Sequence, residues 1–262
     1  MKRIWMKRRG KDRLEPALLN SVGESVFIDG QSLSIDAVSL DVPISGTVYN
    51  VLFNYKKAYE MFRTNMYKPP YEKPPKYPVL YMKPMNTLIA HRSSIPVPAS
   101  FKELMIGPSL GLVIGKRATK VKEQDALSYI KGLIIANDVQ IPHSNYYRPA
   151  IKETARDGFC PIGPWIVEHG QIENIDQLQI RVFINGRLAL ENNTSNLLRS
   201  ARQLIASVTD FMTLTEGDVL LTGIPENAPL AKRKDIVTIE IERVGRLENE
   251  LVDEAVLEGG RG

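Results

Sequence analysis

Gly111-Leu112-Val113-Ile114-Gly115 and Leu133-Ile134-Ile135-Ala136-Asn137-Asp138 are the two stretches that decide how this chain folds. Each is a short, unbroken apolar run ended by glycine or by polar residues, the pattern of a strand buried on both faces. Between them, residues 123–131 carry apolar side chains at 126, 127, 129 and 130, which predicts a helix stopped at Gly132. Farther along, residues 179–184 alternate polar and apolar, turn at Asn185-Gly186 and return over 187–190, a hairpin signature. Residues 219–222 and 236–241 read as further strands. Between the hairpin and these strands, Thr194 or Ser195 is placed to cap a helix running to about residue 211.

Upstream, 25–28 and 32–35 read as short strands around Asp29-Gly30. A compact strand follows over 47–53, then a short polar helix over 54–64. Pro69, Pro70, Pro74, Pro75 and Pro78 exclude regular structure from 66–78, which is either a linker or a loop over a site. Strands outnumber helices, and neither βαβ alternation nor a phosphate-binding glycine loop is present. The expected class is α+β, mainly β. The expected organisation is an amino-terminal appendage over 1–45, a small portion with the proline-rich stretch over 46–78, and the main body over 79–262.

Composition limits the function classes. Apolar residues make up 43% and charged residues 24%, a balance that supports a folded core. No apolar run is long enough for a membrane helix, and no apolar stretch follows the basic start as in a secretory signal. The single cysteine, Cys160, excludes an internal disulfide and a cysteine zinc cluster, so a cytoplasmic setting is the default expectation. Lys2, Arg3, Lys7, Arg8, Arg9, Lys11 and Arg13 face only Asp12 in the first thirteen residues. Taking these away from 34 basic and 30 acidic residues leaves 27 and 29, so the excess charge belongs to the terminus, expected to be mobile and solvated. No aromatic interleaving accompanies it, and nucleic acid and membrane are not expected partners.

Several motifs carry a resemblance. They are Lys83-Pro84-x-Asn86-Thr87, Val113-Ile114-Gly115-Lys116, Ala136-Asn137-Asp138, Asp157-Gly158-Phe159-Cys160-Pro161-Ile162-Gly163-Pro164-Trp165 and Leu221-Thr222-Gly223. In this order and spacing they resemble the fumarylacetoacetate hydrolase superfamily over roughly residues 46–254. Tyr67-Lys68-x-Pro70, Ala118-Thr119-Lys120-Val121 and Tyr146-Tyr147-Arg148-Pro149-Ala150-Ile151-Lys152 resemble one branch of it more closely. That branch is the amino-terminal half of the fused isomerase/decarboxylases of 4-hydroxyphenylacetate breakdown. The resemblance implies a mixed β-roll with a small amino-terminal α/β portion, working as a homodimer or as a hetero-oligomer with a related second subunit. It also implies decarboxylation of 5-oxopent-3-ene-1,2,5-tricarboxylate and isomerisation of 2-hydroxyhepta-2,4-dienedioate through a stabilised enolate.

The resemblance further implies Mg²⁺ or Mn²⁺ held by three carboxylates, since a hard cation takes oxygen ligands and stabilises an enolate. Two of these belong to a Glu-x-Glu pair whose positions here are Gly107 and Ser109; the third is Asp138. The family's histidine base falls on Ala58, with Glu60 nearby, and its lysine before Asp-Gly falls on Thr154, with Lys152 two residues away. The second threonine of Thr-Gly-Thr-Pro is Ile224. Arg148 and Lys152 are the candidate catalytic cations for a dicarboxylate. Lys83, Asn137, Thr194 and Thr222 are the candidate pocket residues. His91, His143 and His169 match no catalytic position and are expected to be solvated, and Cys160 to be a packed thiol.

Overall fold

The computed structural model describes residues 1–146 and 148–258. Its strands are β1 (Lys2–Met6), β2 (Glu15–Leu19), β3 (Ser25–Ile28), β4 (Gln31–Ser34), β5 (Val48–Leu52), β6 (Val79–Lys83), β7 (Leu88–Ile89), β8 (Ile95–Val97) and β9 (Glu103–Met105). They continue as β10 (Pro108–Ile114), β11 (Ile130–Asn137), β12 (Cys160–Glu168), β13 (Gln179–Ile184), β14 (Arg187–Asn193), β15 (Val219–Leu221), β16 (Leu230–Lys232), β17 (Ile236–Ile241) and β18 (Gly245–Asp253). The helices are α1 (Lys56–Arg63), α2 (Ile151–Thr154), α3 (Ala201–Thr209) and α4 (Glu254–Glu258).

The two apolar runs that decide the fold lie side by side as β10 and β11, antiparallel, with Leu112 opposite Leu133. They sit inside a long sheet ordered β4-β3-β2-β1-β12-β11-β10-β15-β5-β6, with β7 beside β12. A second sheet, β14-β13-β17-β18-β8, covers one face of it. Leu112, Leu133, Ile135 and Val167 of the first share one core with Ile180, Val182, Ile239 and Leu247 of the second. On the opposite face Val113, Ile134, Ile166 and Val219 pack under Trp5, Val42 and Ile44. A sheet covered on both sides needs apolar side chains at every position, which explains why β10 is buried from end to end. The mainly β expectation holds, and the Asn185-Gly186 hairpin forms with both turn residues at positive φ.

Three readings need correction. Residues 2–6, expected in a mobile basic tail, form β1, which pairs with β12 and buries Ile4 and Met6. The tail's charge is spent locally: Arg8 grips Glu15 at 2.6 Å and Asp29 at 2.7 Å, and Lys7 meets Asp41 at 3.1 Å. The helix expected to stop at Gly132 is a 3₁₀ run over Glu123–Tyr129, and Gly132 lies inside β11. A Cβ there would collide with the Val167 carbonyl, so this glycine serves close strand approach. Finally, α3 begins at Ala201 under a Ser200–Gln203 capping box. Thr194 does not cap it, because its hydroxyl donates to the Ile175 carbonyl and accepts from Leu178 N–H.

The proline-rich stretch joins an aromatic cluster through Tyr71. Tyr71 meets Phe62 edge-on, Phe62 stacks on Phe53 at 4.6 Å, and Tyr146 lies against both phenylalanines. The Tyr71 hydroxyl accepts from Tyr146 N–H at 3.1 Å, tying residues 66–78 to the segment beyond Asp138.

His91 is half-buried rather than solvated, and its Nδ1 accepts from Glu248 N–H at 3.1 Å. Burial, seconded by Arg92, pushes its pKa down to about 4 from 6.5. The native ring therefore stays neutral while the unfolded ring takes up a proton, so stability falls as pH drops from 6.5 towards 4. Denaturant unfolding across that window should show the loss, and His91→Gln should flatten it. An unchanged slope in the variant would refute the assignment.

Candidate functional site

The sheet brings Gly107, Ser109 and Asp138, the three positions the resemblance marks as ligands, to neighbouring points. β10 and β11 pair with Pro108 opposite Asn137 and Ser109 opposite Ala136. Just beyond, Asp138 N–H donates to the Gly107 carbonyl at 2.8 Å, and Gly107 N–H donates to Asn137 Oδ1 at 3.1 Å. β5 and β6 complete the surroundings. Tyr81 and Lys83 are two apart on β6 and share a face, and Asn50 lies opposite Tyr81 in register.

All these side chains converge on Asp138. Lys83 Nζ lies 2.8 Å from Asp138 Oδ1, and neither side chain has any exposed surface. The contact is ionic rather than well directed, since Oδ1 has no aligned hydrogen bond. Asp138 Oδ2 accepts from Asn50 Nδ2 at 2.6 Å, from Gln140 Nε2 at 3.2 Å and from the Tyr81 hydroxyl. The Lys83 ammonium also donates to the carbonyls of Val139, at 3.3 Å, and Thr154. Two hydrogen bonds and the ion pair with Asp138 thus hold the buried ammonium. Burial and the adjacent Asp138 carboxylate hold the Tyr81 hydroxyl well above the ordinary phenol range, so it remains a neutral donor.

A divalent metal does not fit this arrangement. Asp138 is one carboxylate, and Lys83 already neutralises it. Ser109 Oγ is turned away, donating to the Gly223 carbonyl at 2.9 Å. A Cβ at Gly107 would collide with the Asp138 carbonyl and lie 2.7 Å from Ile224 Cδ1. Among the described residues no group of three or more His, Cys, Asp or Glu side chains is placed to hold a metal.

The other candidates fall into two sets. Lys83 and Asn137 are in the network, and Thr154 contributes its backbone to it. Arg148 and Lys152 are exposed, outside the buried network. Ala58 is half-buried and packs on the main core, and Glu60 is exposed and pairs with Arg63 at 3.3 Å. Thr194 ties its own loop, as described. The buried Thr222 hydroxyl faces that of Tyr55, although neither finds a well-aligned hydrogen bond. Cys160 is fully buried, and burial pushes its thiol up to about 12. His143 stacks obliquely on Tyr146 with ring centres 5.1 Å apart, while His169 sits half-buried in a 3₁₀ turn. Asn50, Tyr81 and Gln140 escaped the sequence reading. For Tyr81 and Gln140 the signal was the two-residue spacing, Tyr81 with Lys83 and Asp138 with Gln140; Asn50 is placed only by its register opposite Tyr81.

A two-sheet β-roll with an Asp138-centred strand end defines the class: the chain belongs to the fumarylacetoacetate hydrolase family, whose "Fumarylacetoacetate (FAA) hydrolase C-terminal" description matches residues 47–252. The 4-hydroxyphenylacetate degradation bifunctional isomerase/decarboxylase of Escherichia coli is 41% identical over 211 residues. That match takes in 80% of this chain and 48% of the relative, so the chain spans about half the length of the curated relatives it matches. A 5-carboxymethyl-2-hydroxymuconate delta-isomerase from Mycobacterium smegmatis superposes with a TM-score of 0.78 at 27% identity, covering 97% of this chain and 99% of that one. A maleylpyruvate hydrolase from Sphingobium sp. SYK-6, solved with manganese(II) and pyruvate, shares the fold at a TM-score of 0.76 and 19% identity, covering 95% and 99%.

Removing one member of a buried ion pair strands the other charge, at a cost of about 3–5 kcal/mol. Lys83→Met should therefore be strongly destabilising in urea unfolding, and Lys83→Met with Asp138→Asn should recover most of the loss. Additive losses would show that the pair is not coupled. A native protein should also leave Cys160 unreactive to a disulfide reagent at pH 8, with labelling appearing only on unfolding; rapid stoichiometric labelling would contradict the buried, protonated thiol.

Proposed function

We propose that this chain is a subunit of an isomerase/decarboxylase of the 4-hydroxyphenylacetate (homoprotocatechuate) type, in which a related second unit with an intact Glu-x-Glu pair holds the metal. In such an assembly 5-oxopent-3-ene-1,2,5-tricarboxylate is decarboxylated and 2-hydroxyhepta-2,4-dienedioate isomerised at the metal-bearing unit. This chain contributes the β-roll that supports that unit, with Arg148 and Lys152 offering exposed cations to anionic substrate. The similarity to the bifunctional relative supports the pathway class. One observation supports placing the metal chemistry elsewhere: the Asp138 carboxylate is fully engaged by Lys83, Asn50, Tyr81 and Gln140.

The test is a calorimetric titration of the purified chain with Mn²⁺, read beside an assay on the tricarboxylate with and without a Glu-x-Glu-bearing sister chain. The expected outcome is no stoichiometric Mn²⁺ binding and no turnover by the chain alone, with turnover restored in a stable hetero-oligomer. Stoichiometric Mn²⁺ binding with turnover by the isolated chain would overturn the proposal.

A further inference from the structure

A cleft of about 750 Å³ opens between the amino-terminal strands and the second sheet. Lys2 of β1, the β2–β3 turn, residues 34–36 and residues 91–92 line it on one side, and β13 and the β17–β18 turn on the other. None of the residues that converge on Asp138 lines it. The β17–β18 turn is fixed from inside. Trp165 Nε1–H donates to the Val244 carbonyl at 2.9 Å, and Gly245 packs so closely on the indole that a Cβ there would lie 3.0 Å from it.

Most of the charges around the cleft are settled within the protein. Arg92 pairs with Asp36 and Arg246 with Glu248 at 2.5 Å, while Glu240 lies opposite both Arg181 in β13 and Arg246 in β18. Two cations are left over. Lys2 Nζ donates to the Arg243 carbonyl at 3.1 Å and, among the described residues, has no carboxylate within ion-pair reach. Arg243 reaches a carboxylate only at 4.0 Å, that of its neighbour Glu242, which also accepts from Gln179 N–H. Glu24, exposed on the β2–β3 turn, pairs with neither. Burial, and then the charge of Arg243, lower the Lys2 ammonium from its ordinary pKa.

We infer that this cleft is a binding site for a small organic anion, whose carboxylate or phosphate group is held by Lys2 and Arg243. A guanidinium offers a two-pronged donor to either group, and the ammonium adds a second positive charge beside it. The volume falls in the range of roughly 300–1,000 Å³ that takes a small molecule. An anion between the two side chains replaces their mutual repulsion with two attractions. His91 also lines the cleft as a neutral donor: its Nδ1 accepts from Glu248 N–H, so the ring proton sits on Nε2. Because Lys2 belongs to β1 and Arg243 to the β17–β18 turn, the bound anion ties the amino-terminal strands to the second sheet.

Calorimetric titration of the full chain with succinate and, separately, with inorganic phosphate tests this, with sodium chloride at matched ionic strength as the control. A saturable heat should appear with at least one probe, and amide exchange should slow over residues 2–6 and 242–246. Saturation by succinate alone marks a carboxylate ligand, and by phosphate alone a phosphate ligand. Lys2→Met with Arg243→Gln should weaken the binding about tenfold or more. Arg187→Gln, an exposed cation elsewhere on the second sheet, should leave it unchanged. Should the double variant fail to fold, the exchange pattern of the native protein decides. No saturable heat with either probe, an effect reproduced by sodium chloride, slowed exchange confined to other segments, or binding abolished by Lys152→Gln rather than by the cleft changes overturns the inference. Mn²⁺ binding and turnover of the tricarboxylate are read separately, so the proposed function stands or falls independently.

Discussion

A carboxylate with no access to water must be neutralised, and much of this site follows from how the chain meets that demand at Asp138. An isolated buried charge costs several kcal/mol, so Asp138 is tolerable only with a cation and hydrogen-bond donors in place. Lys83 supplies the cation, and Asn50, Tyr81 and Gln140 supply donors. Four elements are thereby pinned to one point: β5, β6, the end of β11, and α2 through the Thr154 carbonyl. In a metal-holding site the ion would do that joining. Here a lysine from the chain does it, and the junction is complete as soon as the protein folds.

The same constraint explains the close packing around the junction. Gly107 has no room for a side chain because Ile224 and the Asp138 backbone fill the space in front of it. Ser109 is short enough to turn back onto Gly223. A side chain at Gly107 would have to displace the Asp138 backbone and Ile224. The aromatic contacts among Phe53, Phe62, Tyr71 and Tyr146 add an apolar layer that joins the proline-rich loop to the segment following Asp138.

Much of this was legible in the sequence, for physical reasons that differ from element to element. β10 and β11 were visible because a doubly covered strand leaves no choice but apolar residues. The Asn185-Gly186 hairpin was visible because few residues tolerate its positive φ values. β1 was missed because its basic residues looked like a solvated tail, when alternate positions, Ile4 and Met6, point inward. Gly132 was misread because a glycine that admits a neighbouring strand and one that ends a helix look alike in sequence. At the site, the absence of carboxylates from positions 107 and 109 could be read directly. That Lys83 pairs with Asp138 could not, since the two lie 55 residues apart and meet only through the sheet order β11-β10-β15-β5-β6.

The amino-terminal strands have a consequence for where this protein can be cut. The family match begins at residue 47, yet β1 hydrogen-bonds along β12, and β2 to β4 extend the sheet outward from it. A protein trimmed to the matched stretch would keep the Asp138 junction but lose the strand that shields β12. That would bare the backbone edge of β12 at Ile166 and Val167, in an apolar strand whose start, Cys160-Pro161, would still be paired with β7. Such an edge is adhesive. The first forty-six residues are thus part of the same sheet as the matched stretch, and the family match begins partway through that sheet rather than at its edge.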